Sequence, residues 1–284
     1  MPNLLDIRRR IRSVKNTQQL TKAMKTVSAA KLRRAQERVF SARPYAEQLK
    51  KVLGNLTARL ENVTHPLLES RPEERILFVI VTADRGLCGA FNSNIIRTAQ
   101  TFLREHKGQT VSLATVGRKG RDFFRRRAMQ IRSEFVNIFA RLDYGQARDI
   151  SEAVVQAYAN AEVDAVYIIY NEFKSVLQQR VVVEKALPLS RSDLKETEQQ
   201  PEYIFEQPPQ EIFNRLLPRY VEIQIYRALL ESAASEHGAR MASMDAASRN
   251  AGDMIDMLTL NMNRIRQAAI TREIIEVVSG AGAL

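Results

Sequence analysis

The stretch TADRGLCGAFN, at positions 82–92, combines two glycines and a cysteine between an apolar run and an amphipathic run. A turn of this kind, between a strand and a helix, binds phosphate in many α/β proteins. Its spacing is G-x-x-G, however, which is neither the dinucleotide fingerprint nor the G-x-x-x-x-G-K-[ST] loop. We therefore favour a tight turn in which glycines adopt positive φ, with a nucleotide-using α/β enzyme as an alternative.

Other reactive groups are sparse. Cys88 is the single cysteine of the chain, so neither an intrachain disulfide nor a cysteine zinc site can form. The three histidines are far apart in the sequence, at His65, His106 and His237. A cysteine nucleophile needs a base beside it, so we predict a buried thiol. Asp253 and Asp256 lie one helical turn apart and are interpreted as a solvated or partner-facing edge. We expect no catalytic residue, no cofactor and no metal.

The charge of the chain is concentrated at one end. The net charge is +11, and residues 1–60 alone hold 15 Lys and Arg against three acids, a net charge of +12. Such a segment attracts nucleic acid, anionic lipid or an acidic protein surface. No aromatic residue interleaves these charges before Phe40, which weakens a nucleic-acid interpretation. A nucleic-acid-binding coiled coil nevertheless stays as an alternative.

Residues 1–60 are predicted to form one long helix, because only Pro44 and Gly54 interrupt them after residue 3. Apolar residues follow a four-three spacing typical of a coiled-coil seam, first at Ile7, Ile11 and Val14 and again from Leu32 to Leu60. Between these two runs, the seam positions are polar: Gln18, Thr21, Lys25 and Ser28. There the apolar stripe is expected to shift sideways onto Leu20, Met24 and Val27.

The region 209–284 predicts a second helix. Its part after Pro218 repeats the four-three spacing over about nine heptads, and about sixty residues at about 1.5 Å each give roughly 90 Å. Gly238 and Gly252 are candidates for local compliance or close helix approach. Two helices of this length are best stabilised by packing on each other. The sequence therefore predicts a long antiparallel coiled coil of the terminal helices, into which the rest of the chain is inserted.

The inserted region, 72–190, alternates apolar runs with amphipathic ones. RILFVIVT, TVSLATVG, DAVYIIYNEF and QQRVVVEKALPL are interpreted as strands, and the segments between them as helices. This order is typical of an open, Rossmann-like α/β sheet. Residues 191–208 are polar, contain two prolines and predict a loop that returns to the second helix. The fold class is therefore α/β with a long coiled coil.

The chain finishes on AITREIIEVVSGAGAL, an apolar helical stretch with a tail of small residues. If the terminal helices form a rod, this end has no docking surface within the chain, so we expect it to contact another protein. No signal peptide and no run of 18 apolar residues is readable. A soluble or membrane-peripheral protein is expected.

Three segments together resemble the γ-subunit family of F-type ATP synthases: MPNLLDIRRRIRSVKNTQQLTKAMKTVSAAKLRRAQ, TADRGLCGAFN and ITREIIEVVSGAGA. The last follows the family's C-terminal signature through Ile270, Thr271, Glu273, Glu276, Gly280, Ala281 and Ala283. The order of segments is similar along the full chain. The resemblance implies a bacterial-type central rotor shaft that couples proton flow through the c ring to ATP synthesis or hydrolysis. The shaft itself would be non-catalytic.

The resemblance also implies partners: the α and β subunits, with one shaft per three αβ pairs, the ε subunit and the c ring, with no nucleic acid. It implies a peripheral location on the cytoplasmic face of the bacterial plasma membrane. Five positions match family positions implicated in coupling and in gripping the β catch loop, namely Met24, Arg240, Gln267, Thr271 and Glu273. Arg8, Arg9 and Arg10 would face acidic β loops as a basic collar. Tyr203 and Glu206 match the foot on the c ring.

Overall fold

A computed structural model describes residues 4–59, 65–140, 142–176, 178–190 and 207–281. The described residues divide into two compact units. One, here called the terminal unit, consists of those within Met1–Ser28 and Arg240–Leu284. The other, the sheet unit, consists of those within Ala29–Ala239.

Two long helices contribute to both units. Helix α1 covers Leu4–Arg59, and helix α5 covers Pro209–Ala281. α1 continues through Pro44, although proline removes one backbone hydrogen bond from a helix interior. Burial of Leu49, Leu53 and Leu56, each at most 6% exposed, stabilises the helix beyond this point.

The terminal unit contains an antiparallel pair of helical segments. Thr21 Oγ1 lies 2.7 Å from Ser248 Oγ, and Lys25 Nζ donates to Asp245 Oδ1 at 2.6 Å. The partner positions fall as the α1 positions rise, which defines the antiparallel direction. The expected sideways shift of the apolar stripe is wrong. Thr21 and Ser28 stay buried while Leu20 and Val27 are exposed, because the hydroxyl of Ser248 pairs with that of Thr21 across the seam.

A five-stranded sheet forms the centre of the sheet unit. Its strands are β1 (Arg75–Val81), β2 (Thr110–Val116), β3 (Ile131–Phe135), β4 (Ala165–Phe173) and β5 (Gln179–Leu187). Their order across the sheet is β3-β2-β1-β4-β5, and β5 alone is antiparallel to its neighbour. Strand β3 was not predicted. It is a short edge strand whose residues are half-buried or exposed, so it lacks the apolar run that marks β1.

Helices cover both faces of the sheet. They are α2 (Phe91–Glu105), α3 (Arg118–Arg125) and α4 (Tyr144–Ala159), with short 3-10 turns at Pro66–Leu68 and Ile138–Ala140. Because strand side chains alternate in direction, Leu77, Val79 and Val81 pack into one core with α4, α1 and α5. Their neighbours in β1 pack into a second core with α2 and α3. An inserted α/β sheet with long terminal helices is confirmed as the fold class.

Replacing Gly238 with alanine is expected to raise the free energy of unfolding by up to about 1 kcal/mol, the difference in helix propensity. An added Cβ would lie 3.5 Å from Phe173 Cε2 and 3.7 Å from Val176 Cα, which are ordinary contact distances. At Gly252 the Cβ would lie 3.2 Å from Gln18 Nε2, so G252A should gain less. Denaturant unfolding followed by circular dichroism compares the variants. A less stable G238A would mean that close backbone approach controls this position.

Candidate partner-binding surfaces

The G-x-x-G turn after β1 is built as a structural turn. Gly89 has φ of 54°, and Leu87 also adopts positive φ, at 62°. The thiol of Cys88 is buried, 1% exposed, and its Sγ accepts a hydrogen bond from Asn92 Nδ2 at 3.2 Å. Asn92 Oδ1 in turn accepts from the backbone N–H of Ala83. Asn92 thus connects both ends of the turn through hydrogen bonds. The burial of Cys88 agrees with the predicted buried thiol.

The remaining candidate reactive groups are separate from one another. His65 accepts a hydrogen bond from the N–H of Leu67, and His106 stacks on Phe102. Asp253 and Asp256 are both exposed on α5. Among the residues that the structure describes, no cluster of histidine, cysteine and carboxylate side chains has the arrangement of a metal site.

The first residues of α1 form an exposed cationic surface. Arg8, Arg9 and Arg10 are exposed, while Ile7 beside them is 3% exposed. Of the seven Lys and Arg side chains in residues 4–28, Lys25 alone has an ion pair within the described part of the chain. Most of the positive charge of this segment therefore has no acidic partner within the described residues and is available to another molecule.

Asp245, on α5, is the ion-pair partner of Lys25. Its hydrogen bond from Lys25 lowers the pKa of Asp245, and Arg249 adds a second ion pair at 3.3 Å. Both pairs are solvent-accessible, so each contributes little to stability. Met24, adjacent to Lys25, and Arg240, on α5, are half-buried residues of the terminal unit.

The end of α5 has no cover from the rest of the terminal unit. Every side chain from Arg266 to Ser279 is exposed, including Val277 at 71% and Val278 at 66%. Positions three and four apart share a helix face, so Ile270, Ile274, Val277 and Val278 form one apolar stripe. We call this stripe the tip face. An unpaired apolar face of this kind marks a binding surface for another protein.

Three of the four predicted coupling residues of α5 lie at its exposed end, beside the tip face: Gln267, Thr271 and Glu273. Gln267 lies on the tip face between the apolar side chains, and Thr271, four positions later, lies at its edge beside Val278. Glu273 lies at its border, and Glu276 lies on the opposite, charged side. All four side chains are exposed. Tyr203 and Glu206, the predicted foot, lie outside the described residues.

Sequence reasoning missed one feature of the sheet unit, a cavity that reaches the buried Glu231. The stretch ALLESAASEHG places two glutamates among small and apolar residues on α5. A glutamate within an apolar helical stretch is the sequence signal that could have indicated this cavity, since acidic residues are rarely buried without a partner.

The fold and these surfaces define a class of protein: an α/β domain that lies, in sequence, between two long terminal helices, with a basic helical surface and an apolar helix end that is exposed. A family model described as ATP synthase matches residues 3–284. The ATP synthase gamma chain of Solibacter usitatus is 55% identical and covers 100% of this chain and 99% of its own length. That of Pelotomaculum thermopropionicum is 51% identical over the whole of both chains. This chain belongs to the ATP synthase gamma-chain family.

Solved structures agree with this fold. A chain in the central stalk and c-ring of Tetrahymena thermophila mitochondrial ATP synthase aligns with a TM-score of 0.63 and 29% identity, covering 81% of this chain and 99% of its own. A chain in the rotor of Euglena gracilis mitochondrial ATP synthase has a TM-score of 0.67 over 94% of this chain and 98% of its own, at 19% identity. No described helix is long and apolar enough to cross a membrane.

Proposed function

We propose that this chain is the central rotor shaft of an F-type ATP synthase. It couples proton flow through the c ring to ATP synthesis or hydrolysis in the α/β hexamer, and its partners are the α, β and ε subunits and the c ring. The observation that carries the proposal is the family match along the whole chain. The shaft catalyses no reaction, since the nucleotide chemistry belongs to the β subunits.

The shaft acts by presenting different surfaces in different directions. One side of α5 at its end is apolar and the other is charged, so three subunits around it meet unlike surfaces. A ligand shifts a conformational equilibrium only through its differential affinity for the two states. Each β subunit is therefore biased toward a different state, and rotation changes the three biases in turn.

Met24, Arg240, Gln267, Thr271 and Glu273 are proposed as the contacts that transmit torque. Gln267 and Thr271 support this role because they add neutral hydrogen-bonding groups to an otherwise apolar tip face. Neutral hydrogen bonds contribute only about 0.5 to 1.5 kcal/mol each, so a passing loop can be held and then released. The charged members, Arg240 and Glu273, would fix the angle at which a β loop engages.

The basic collar at Arg8, Arg9 and Arg10 gives a direct test of coupling. Reversing all three charges to glutamate is expected to lower proton pumping per ATP hydrolysed roughly several-fold, because each surface pair contributes about 0 to 1 kcal/mol. The fold should be unaffected, since the three side chains are exposed. ATP-driven acidification of membrane vesicles, divided by the ATPase rate, measures the ratio.

A matched control reverses three exposed cations of the sheet unit, at Arg97, Arg104 and Lys107. This variant has the same net charge as the collar variant. Equal pumping ratios in the two variants would remove the collar from the proposal, because total charge would then explain the effect.

The division of the chain follows from the proposal. Residues 1–60 and 209–284 would form the coiled coil, 72–190 the α/β domain, and 191–208 the foot. Tyr203 and Glu206 would rest on the c ring, which makes the chain peripheral to the membrane. In a bacterial cell this places it on the cytoplasmic face of the plasma membrane.

Coexpression with the α and β subunits tests the shaft directly. Native mass spectrometry is expected to find one copy per three αβ pairs, with ATPase activity that depends on its presence. A chain that elutes alone, or elutes with nucleic acid and binds it in a salt-dependent manner, would overturn the proposal. The exposed cations of α1 would then be a nucleic-acid surface.

A further inference from the structure

The sheet unit contains a cavity of about 640 Å³ between α1, α5, the start of α4 and β4. This volume lies within the range of about 300 to 1,000 Å³ that small-molecule sites occupy. The walls that α1 and α5 supply are apolar, from Val39, Ala42, Ala46, Ile223 and Leu230. A cavity with such walls favours a ligand with an apolar body.

Aromatic side chains form another wall of the cavity. Tyr144 and Tyr226 meet edge to face, with ring centroids 5.5 Å apart. The hydroxyl of Tyr144 donates to Glu222 at 2.5 Å, which fixes its ring. Tyr144 is also the first residue of α4, whose start is held by the capping box of Asp143 and Gln146. Tyr144 is thus held by its own hydrogen bond and by the capped start of α4.

Most of the charged groups around the cavity are already paired or solvated. Arg227 forms an ion pair with Glu184 at 3.1 Å, and Glu172 forms one with Lys174 at 2.8 Å. Three further lining side chains are exposed to solvent: Arg43, Glu47 and Arg219. Exposed charges have little to gain from a ligand, because water already solvates them.

Glu231 differs from these groups because no ion pair within the described residues holds it. It lines the cavity, is 8% exposed, and its Oε2 atom has no hydrogen-bond partner. The other lining side-chain atom that is buried without a partner in the described part of the chain is Nε of Arg227. Burial raises the pKa of Glu231, an effect that the nearby Arg227 only partly offsets. Ionising this carboxyl group is therefore costly, and a cation delivered into the cavity would stabilise its carboxylate form.

We propose that this cavity is a binding site for a small amphipathic cation. The apolar or aromatic body of the ligand packs against the tyrosines and the aliphatic wall, and its ammonium or amidinium group pairs with the carboxylate of Glu231. The site is independent of the shaft role, since its lining residues all belong to the sheet unit and none is among the predicted coupling residues.

Three probes of nearly the same shape distinguish the charge that the cavity accepts. Benzamidine is cationic, benzamide is neutral and benzoate is anionic. Titration of the full-length chain, followed by saturation-transfer NMR, is expected to show binding of benzamidine, with benzamide about tenfold weaker or more and benzoate weaker still. Binding of benzoate in preference to benzamidine would overturn the proposal, because the arginines would then govern the site. Absence of binding by all three would also overturn it.

Two variants locate the binding. E231Q keeps the size of the side chain and removes its charge, so the benzamidine affinity should fall about tenfold or more. E47Q removes an exposed carboxylate from the same cavity and should change the affinity less than twofold. Equal effects of E231Q and E47Q would contradict a site centred on Glu231.

A third variant tests the location without touching a charge. A46F introduces a phenyl ring at a lining position and should abolish benzamidine binding by filling the space. Circular dichroism confirms that each variant is folded before titration. Retained affinity in a folded A46F would place the binding elsewhere and overturn the proposal, whatever the E231Q result.

Discussion

An ATP synthase whose shaft carries both Ile274→Lys and Val278→Lys is expected to lose most of its proton-driven ATP synthesis. In the chain alone these side chains are 57% and 66% exposed, so lysine there does not disturb the fold. We expect the tip face to turn inside a sleeve of apolar groups supplied by the α/β hexamer, because its own exposed side chains are apolar. An unpaired ammonium group in such a place costs several kcal/mol per ion. The cost therefore appears in the assembled enzyme only.

Synthesis is measured in vesicles energised with a proton gradient, beside thermal unfolding of the isolated variant chain. Glu276→Lys is a matched control, because it changes the net charge by the same amount on the opposite side of the same helix. We expect this control to retain much more synthesis than the tip-face variant. Unimpaired synthesis by the double lysine variant would show that the tip face meets water or polar groups, and the apolar sleeve would have to be abandoned.

The tip face and the basic surface were predictable from sequence because both are local properties of one helix. The four-three spacing of Ile270, Ile274 and Val277 sets their common face without reference to any other segment. The charge excess of residues 1–60 is likewise a property of composition. Their exposure in the structure agrees with both predictions, whereas their partners stay a proposal.

The sheet was predictable where burial on both faces leaves a continuous apolar run, as in β1 and β4. Strand β3 was missed because Arg132 and Glu134 alternate with half-buried residues at the edge of the sheet. An edge strand pairs with a single neighbouring strand, and β3 has no fully buried side chain. Its sequence therefore carries a weaker signal than that of a central strand.

The seam of α1 was mispredicted at Thr21 and Ser28 for a different reason. A rule that buries apolar residues cannot see that Thr21 meets a hydroxyl from Ser248, which is distant in the sequence. The cavity at Glu231 also depends on contacts between segments that are distant in the sequence, since four elements must come together to form it. Long-range pairing of polar groups is the part of this fold that a single sequence leaves undetermined.

The largest effect on folding is expected from Gly117→Ala. Gly117 follows β2 and has φ of +88°, and an added Cβ would lie 2.0 Å from the carbonyl oxygen of Thr82. That carbonyl cannot retreat easily. The N–H of Thr82 donates to Val116 O at 2.8 Å, and its Oγ1 accepts from the N–H of Gly120 at 2.8 Å. We therefore expect the free energy of unfolding to fall by about 4 kcal/mol or more, beyond the usual range for point mutations.

Gly108→Ala is the matched control for this substitution. An added Cβ at Gly108 would meet nothing within 4 Å, so the free energy of unfolding should change by no more than about 0.5 kcal/mol. Denaturant unfolding of the two variants, followed by circular dichroism and tyrosine fluorescence, compares them directly. Nearly equal stabilities would mean that the β2–α3 junction can shift to admit a side chain. In that case the close approach of Gly117 to Thr82 would not be required to hold the start of α3 against the sheet.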